Sequence, residues 1–374
     1  MSPTSPIAET ALLETPLAAQ LRAVNPPVSE LAAHRGAQVP LRFSGVSAEL
    51  EALVRSAGIF DLGYRTFLRA TGRDRVRWLN GMITQTVKGL EPGQTEYTLV
   101  LNPQGRIQGD GNVLFSEDHL DVETDRSQSD RLLGHLRRFI IMDDVQLQEL
   151  DAAKTVLGIA GPQAAAILAK TGATVPGPGR FEATQLAGIE VTVVSGYGPV
   201  APRWEIQVAA DQALSVWKAL LAAGATPCGL EALEKLRILE GVAAFDVDFS
   251  DKQLPQETNL QRALNFTKGC YIGQETVERI RARATLHRSL RQFELQGETP
   301  SFKPGEKIEL KAGEAAAGEL TSVARIELPG WSKTLALGIA RTEALERSES
   351  GAEAIRYDGG TATPLTAPPV PANL

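Results

Sequence analysis

The chain has 374 residues with 45 acidic and 38 basic side chains, a formal charge of −7 and two cysteines, Cys228 and Cys270. A composition of 43% hydrophobic and 22% charged residues, with no apolar run near the roughly 18 residues that span a bilayer, excludes a helical membrane protein, a disulfide scaffold and a largely disordered chain. Two cysteines cannot supply a four-ligand zinc or iron–sulfur site, so no intrinsic metal is expected, and the net acidity argues against a general nucleic-acid binder.

Residues 1–40 contain six prolines among Ala, Ser and Thr and are expected to be a flexible extension, with a short amphipathic helix over Ala11–Val24, broken near Pro16, as the alternative. The first 20 residues lack Lys and Arg, so they do not read as a signal peptide, and a cytoplasmic protein with reduced thiols is expected. Residues 41–150 form a first α+β module. Strands are predicted at Thr66–Thr71, Thr95–Leu101, Arg106–Phe115 and His119–Glu123, with a turn at Asn102–Gly105 and helices over Arg73–Leu79 and Ser127–Phe139. A similar order over 151–245 forms a second module. Its strands are Val156–Ala160, Ile189–Val194 and Trp204–Val208. One helix opens at Gly161-Pro162, and another is capped by Asp211 and runs to about Ala223. Both modules resemble the ferredoxin-like split β-α-β plan. The helix Leu230–Leu239 leads, with Gly241 at its C′ position, into a connecting segment, 246–290. Alternating runs over 291–360 then predict a small β-barrel, and 361–374 are expected to be a flexible tail.

Most familiar chemistry is missing. There is no phosphate-binding Gly-Lys-Ser/Thr loop, Gly109–Gly111 does not continue into a dinucleotide fingerprint, and the four histidines are scattered. One stretch, FTKGCYIGQETVERI at Phe266–Ile280, is dense. Cys270 stands between Gly269 and Gly273, two residues after Lys268, with a helix predicted from near Ile272. The helix dipole and the Lys268 ammonium would both favour a thiolate. The opposing expectation is a buried packing cysteine, which is the expectation for Cys228. Lys268 to Arg291 also carries six basic residues, including Arg279, Arg281, Arg283 and Arg288, against Glu275 and Glu278, a net +4. Such a patch suits a carboxylate, a phosphate or an RNA backbone. The alternative is a strand of solvated arginines alternating on one face.

KGCYIGQE (Lys268–Glu275) resembles the signature of the YgfZ family, folate-binding relatives of the glycine-cleavage T-protein that assist iron–sulfur enzymes. GIFDLGYRTFLRATG, YTLVLNPQGRIQGDG, RFIIMDDVQL, GLEALEKLRILEG and DKQLPQETNL resemble matching segments in the same order, from about Val46 to Ala340. The resemblance implies two α+β modules and a C-terminal β-barrel around a central channel, with tetrahydrofolate or a one-carbon derivative bound there. It implies Glu205, in Arg203–Ile206, as the pterin contact and Arg237, in LRILEG, as a folate-binding arginine, with Tyr97 and Asp110 also at the folate site. It makes Cys270 and Lys268 the catalytic pair, and Gly269, Tyr271, Gly273, Gln274 and Glu275 their loop. Where T-proteins carry an Asp-Asp pair, Gly109 and Asp110 stand here, and Gln85-Thr86 replaces an Asn-Asp.

The first expectation is therefore a tetrahydrofolate-binding accessory protein for maturation or repair of iron–sulfur enzymes, with those enzymes or assembly proteins as partners. The second is a folate-dependent aminomethyl or one-carbon transferase. The third is a module holding RNA or protein through the basic patch.

Overall fold

The structure, a computed structural model, describes residues 12–24, 30–150, 153–283 and 286–371. The first sheet has five strands in the order Gln94–Leu101, Ile107–Phe115, Leu120–Asp125, Arg65–Thr71 and Gln146–Glu149, every neighbour antiparallel. The helix Arg126–Arg137 lies on it because Leu132 and Leu136, at i and i+4, present one apolar edge. Both are buried with Leu68, Val113 and Val122. The turn at Asn102–Gly105 forms as its residues suggest. Gly105 adopts φ 76°, and the Asn102 side chain accepts from the Gln104 and Arg106 amides.

The second sheet has six strands in the order Phe181–Leu186, Ile189–Gly196, Arg203–Ala209, Lys154–Ala160, Gly58–Asp61 and Thr226–Pro227. Gly58–Asp61 precedes the whole first sheet in the chain yet pairs with Lys154–Ala160. The two sheets are thus laced together by the segment that joins Asp61 to Arg65. Two local expectations need correction. The helix after Gly161-Pro162 begins at Ala164, because Gly161 at φ 121° and Pro162 form a turn ahead of it. Asp211 lies inside a 3-10 turn, Ala210–Gln212, and caps nothing.

Six strands close the C-terminal barrel, in the order Arg288–Gly297, Trp331–Arg341, Ala315–Leu328, Ile308–Ala312, Ile355–Tyr357 and Gly360–Leu365. The expected flexible tail from 361 is therefore corrected: Gly360–Leu365 hydrogen-bonds to Arg288–Gly297 and completes the ring, leaving no free edge. The extension is corrected in the same way. Pro16 opens a helix, Pro16–Arg22, with Thr15 as its N-cap, because a first-turn proline lacks only an N–H that has no helical partner. Leu17 and Leu21 bury against Val216, Trp217 and Leu220. Leu31–His34 and Ala37–Pro40 form a hairpin, and Val39 joins the core around Leu50, Leu53 and Leu236. The parts of this extension at residues 1–11 and 25–29 lie outside the described residues, as do 372–374 of the tail.

The helix Leu230–Leu239 ends as predicted, with Gly241 at φ 69° and the Val242 amide donating back to the Arg237 carbonyl. It spans from the core toward the barrel, and Leu233, Glu234 and Arg237 on it face a cavity between the two sheets.

Candidate functional site

The cavity has a volume of about 350 Å³ and draws its walls from both sheets and the Leu230–Leu239 helix. Glu205, Arg237, Asp110 and Tyr97, separated in sequence by up to 140 positions, all line it. Tyr97 and Asp110 stand on paired strands, where the Tyr97 hydroxyl donates to Asp110 Oδ2 at 2.6 Å and the Gln128 amide donates to Oδ1 at 2.9 Å. Burial, and then the charge of Asp125, push the Asp110 pKa up; burial also pushes Tyr97 far above the usual phenol value.

Glu205 comes from the opposite sheet. Its Oε1 lies 3.5 Å from Arg65 Nη2, while its Oε2 is buried without any hydrogen-bond partner. Arg65 also reaches Glu123 at 3.1 Å and Asp125 at 3.5 Å, so one guanidinium holds three carboxylates together. Glu123 is fully buried and accepts from Gln207 at 3.3 Å. Burial and the neighbouring Glu205 raise its pKa well above the ordinary carboxylate value, while Arg65 works the other way. An orphaned acceptor such as Glu205 Oε2 costs free energy unless something donates to it. Here the open side of Glu205 is the cavity.

Arg237 lines the same space but is already filled. Its guanidinium donates to Glu234 at 3.0 Å, the Val242 carbonyl at 3.0 Å, Asp248 at 2.5 Å and Ser322 Oγ at 2.9 Å. The expectation of a ligand-binding Arg237 is corrected to that of a buried brace, since its donors are held by two internal carboxylates. Gly109, which stands in place of the second aspartate, is closely packed by side-chain ends that a Cβ would have to displace. A Cβ there would come within 2.7 Å of Gln128 Oε1 and 2.8 Å of Leu132 Cδ2.

The Lys268–Glu275 motif lies elsewhere, outside the cavity lining. Lys268 Nζ donates to three carbonyls, those of Asn80 at 2.6 Å, Ile83 at 2.8 Å and Gln85 at 2.6 Å. Burial pushes the ammonium's pKa down to about 7, against three acceptors that favour the charged form. All three ammonium protons are committed to the backbone, so Lys268 has no further N–H to offer Cys270. Tyr271 is buried with Leu99, Leu101 and Val277, and the Gln274 side chain accepts from its amide at 3.3 Å. Gly273 adopts φ 82°, and a Cβ would meet the Asn102 carbonyl at 2.6 Å, so glycine is required for the loop to seat on the Asn102–Gly105 turn. Gly269 has open space around it and no positive φ. Cys270 is exposed, whereas Cys228 is buried and points its thiol at the Glu49 carbonyl. The following helix is Gln274–Arg283, so Cys270 sits four residues ahead of its first turn, farther than the sequence predicted. Glu275 is exposed on that turn.

The helix also replaces the alternating strand considered for the arginines. Arg279 is exposed, Arg281 lies over the Phe266 ring at 4.8 Å and 3.4 Å from Glu278, and Arg288 forks onto Glu257 at 2.7 Å. Of Arg283 the structure describes only its place as the last residue of the helix. The patch is partly neutralised by its own carboxylates.

Sequence reasoning missed Arg65, Glu123 and Arg262, a further cavity residue. For Arg65 and Glu123 a weak signal existed: Asp121, Glu123 and Asp125 put three acids on one face of a short strand, and Arg65 opens the strand that pairs with it. Arg262 had no such signal.

Among known proteins, the family described as GCVT N-terminal domain matches residues 29–268. An aminomethyltransferase of Nostoc sp. strain PCC 7120 is 30% identical over 275 residues, covering 70% of this chain and 72% of the relative. One from Rubrobacter xylanophilus is 28% identical and covers 78% of each. The crystal structure of the glycine cleavage system aminomethyltransferase T from Bartonella henselae superposes with a TM-score of 0.82 over 95% of this chain and 97% of that one, at 19% identity, and so shares the fold. The two laced sheets, the closed six-stranded barrel and these matches together place the chain in the GCVT-domain family, among aminomethyltransferase-like proteins.

Proposed function

We propose that the chain binds tetrahydrofolate or a one-carbon derivative in the cavity and serves, in the manner of the YgfZ family, as an accessory factor for iron–sulfur enzymes through Cys270. The observation that carries the folate part is Glu205 Oε2, a buried acceptor without a donor on a cavity wall. The N–H groups of a pterin ring supply the missing donors. Asp110 and Tyr97 would border the ligand from the facing sheet, and a bound one-carbon folate would supply a methylene or methyl group there. No helix among the described residues is long and apolar enough to cross a membrane. The accessory part rests on the KGCYIGQE resemblance and on the exposure of Cys270, which leaves its sulfur open to a protein partner or to a cluster held by one.

Calorimetry with tetrahydrofolate tests the ligand: saturable binding in the wild type, weakened in Glu205→Ala, supports it, and its absence at physiological folate levels sinks it. The client role is tested in a deletion strain, where Cys270→Ser should fail to restore the activity of radical-type iron–sulfur enzymes. Full restoration by that variant ends the proposal for Cys270.

A second reading, folate-dependent aminomethyl transfer, is favoured by the names of the relatives. Against it stands the glycine beside Asp110, with Gln128 and Leu132 packed where the side chain of a second aspartate would start. Turnover of a lipoyl-bound aminomethyl donor, lost in Asp110→Asn, would establish it.

A further inference from the structure

The cavity walls carry Arg35, Arg65, Arg203, Arg237 and Arg262. The first four each have a carboxylate partner: Asp125, Glu123, Glu240 and Asp248, respectively. Arg262 has none within 4.0 Å among the described residues, and no described group accepts a hydrogen bond from its guanidinium. Its Nε is buried and unpartnered. The side chain is nevertheless held in place. Its guanidinium carbon lies 3.7 Å from the centroid of the Tyr97 ring and 4.2 Å from that of Tyr197, two cation–π contacts that flank the group and leave its in-plane N–H donors unused.

The backbone beneath is equally fixed. Arg262 sits in a 3-10 turn, Gln261–Ala263, whose carbonyls accept from the Gln85 amide at 3.1 Å and from Thr84 Oγ1 at 2.6 Å. The Gln85 carbonyl in turn accepts from Lys268. The motif loop therefore reaches the cavity through Lys268, Gln85 and Arg262. A cation that is oriented, flanked by aromatic faces and without a carboxylate within 4.0 Å among the described residues keeps its N–H donors for an anion from outside the chain. A planar fork of N–H donors matches a carboxylate bidentately.

We propose that Arg262 is the carboxylate-binding group of the cavity and, resting on the folate reading above, that it takes a carboxylate of the folate glutamyl tail. The pterin end then lies toward Glu205 and the acidic end toward the Tyr97–Arg262–Tyr197 clasp. The role assigned from sequence to Arg237 passes to Arg262, whose donors are free.

Three probes test it by calorimetry on the full chain: tetrahydrofolate, 6-methyltetrahydropterin, which carries no carboxylate, and free glutamate. In Arg262→Gln the affinity for tetrahydrofolate should fall about 10- to 100-fold, as for loss of a charge-assisted bidentate contact, while that for the pterin stays within about two-fold. Arg262→Lys, which keeps the charge but not the fork, should fall between. The variant should melt with the wild type, since it orphans no internal carboxylate. An equal loss for tetrahydrofolate and the pterin, or no loss for either, overturns the assignment. If the wild type binds neither pterin nor tetrahydrofolate, the folate reading fails separately. Glutamate binding that depends on Arg262 would then keep the carboxylate site with a free acid as its source, and no glutamate binding would overturn it as well.

Discussion

The cavity and the Lys268–Glu275 loop carry opposite kinds of information. The loop is contiguous in sequence and conspicuous there, yet most of its residues brace the fold: Lys268 ties three carbonyls, Tyr271 fills a core, and Gly273 seats on a turn. Gly269, Cys270 and Glu275 are exposed, and of these only Cys270 carries a thiol. The cavity is assembled from residues scattered over both sheets, and it concentrates buried charge, an orphaned carboxylate oxygen and an unpaired guanidinium. A dense motif thus marks where backbone must be held in an unusual path, and a dispersed set marks where a ligand is met. The two are mechanically joined, because the loop packs on the turn between the strands that carry Tyr97 and Asp110.

The largest expected effect breaks the loop. Lys268→Met leaves three carbonyls without a donor and should cost about 3 kcal/mol or more of stability in chemical denaturation. If the variant instead keeps its stability and loses only function, Lys268 belongs to the chemistry and the contrast drawn above is wrong. Next comes the cavity. Glu205→Gln replaces an acceptor oxygen with a donor and should weaken tetrahydrofolate about 10- to 100-fold with little change in unfolding midpoint, read by titration.

A smaller effect tests the buried acid pair. Glu123 has a folded pKa raised above the ordinary 4.5, so the folded state binds the extra proton. Its contribution to stability is complete below about pH 4.5 and is lost as pH rises through the elevated folded value. Glu123→Gln, already neutral, should therefore melt a few degrees above wild type at pH 8 and match it near pH 4. An identical pH dependence in both proteins would show that Glu123 does not set the pH dependence of stability. The smallest effect is at the exposed thiol. Cys270→Ser should change stability by less than about 0.5 kcal/mol. In the native wild type a thiol reagent should label one of the two cysteines rapidly and spare Cys228, which burial leaves protonated by pushing its pKa far up. Slow labelling of both would contradict the exposure of Cys270.

Element order was largely legible in the sequence because alternation and helical spacing are local consequences of burial on one face. The strand Arg65–Thr71 and the helix Leu230–Leu239 fall within a residue of their predicted spans. The N-terminal extension and the tail were misjudged, since proline-rich composition averages over the few residues that matter. Leu17 and Leu21 find a groove on another helix, and Gly360–Leu365 finds a vacant barrel edge. Neither partner is visible from the segment itself.

The same division holds at the site. Sequence alone determined the α+β modules, the barrel, the exclusion of common cofactor loops and, through resemblance, Glu205, Asp110 and Tyr97 as cavity residues, because these depend on residue type and local spacing. Tertiary structure alone decided which charges are satisfied. Arg237 and Arg262 are equally plain arginines in the sequence. One is enclosed by Glu234 and Asp248, and the other is flanked by two tyrosines with no carboxylate within 4.0 Å among the described residues. The worth of a charge is set by its distance to its counter-ion and by the water it has lost, and both are properties of the folded chain.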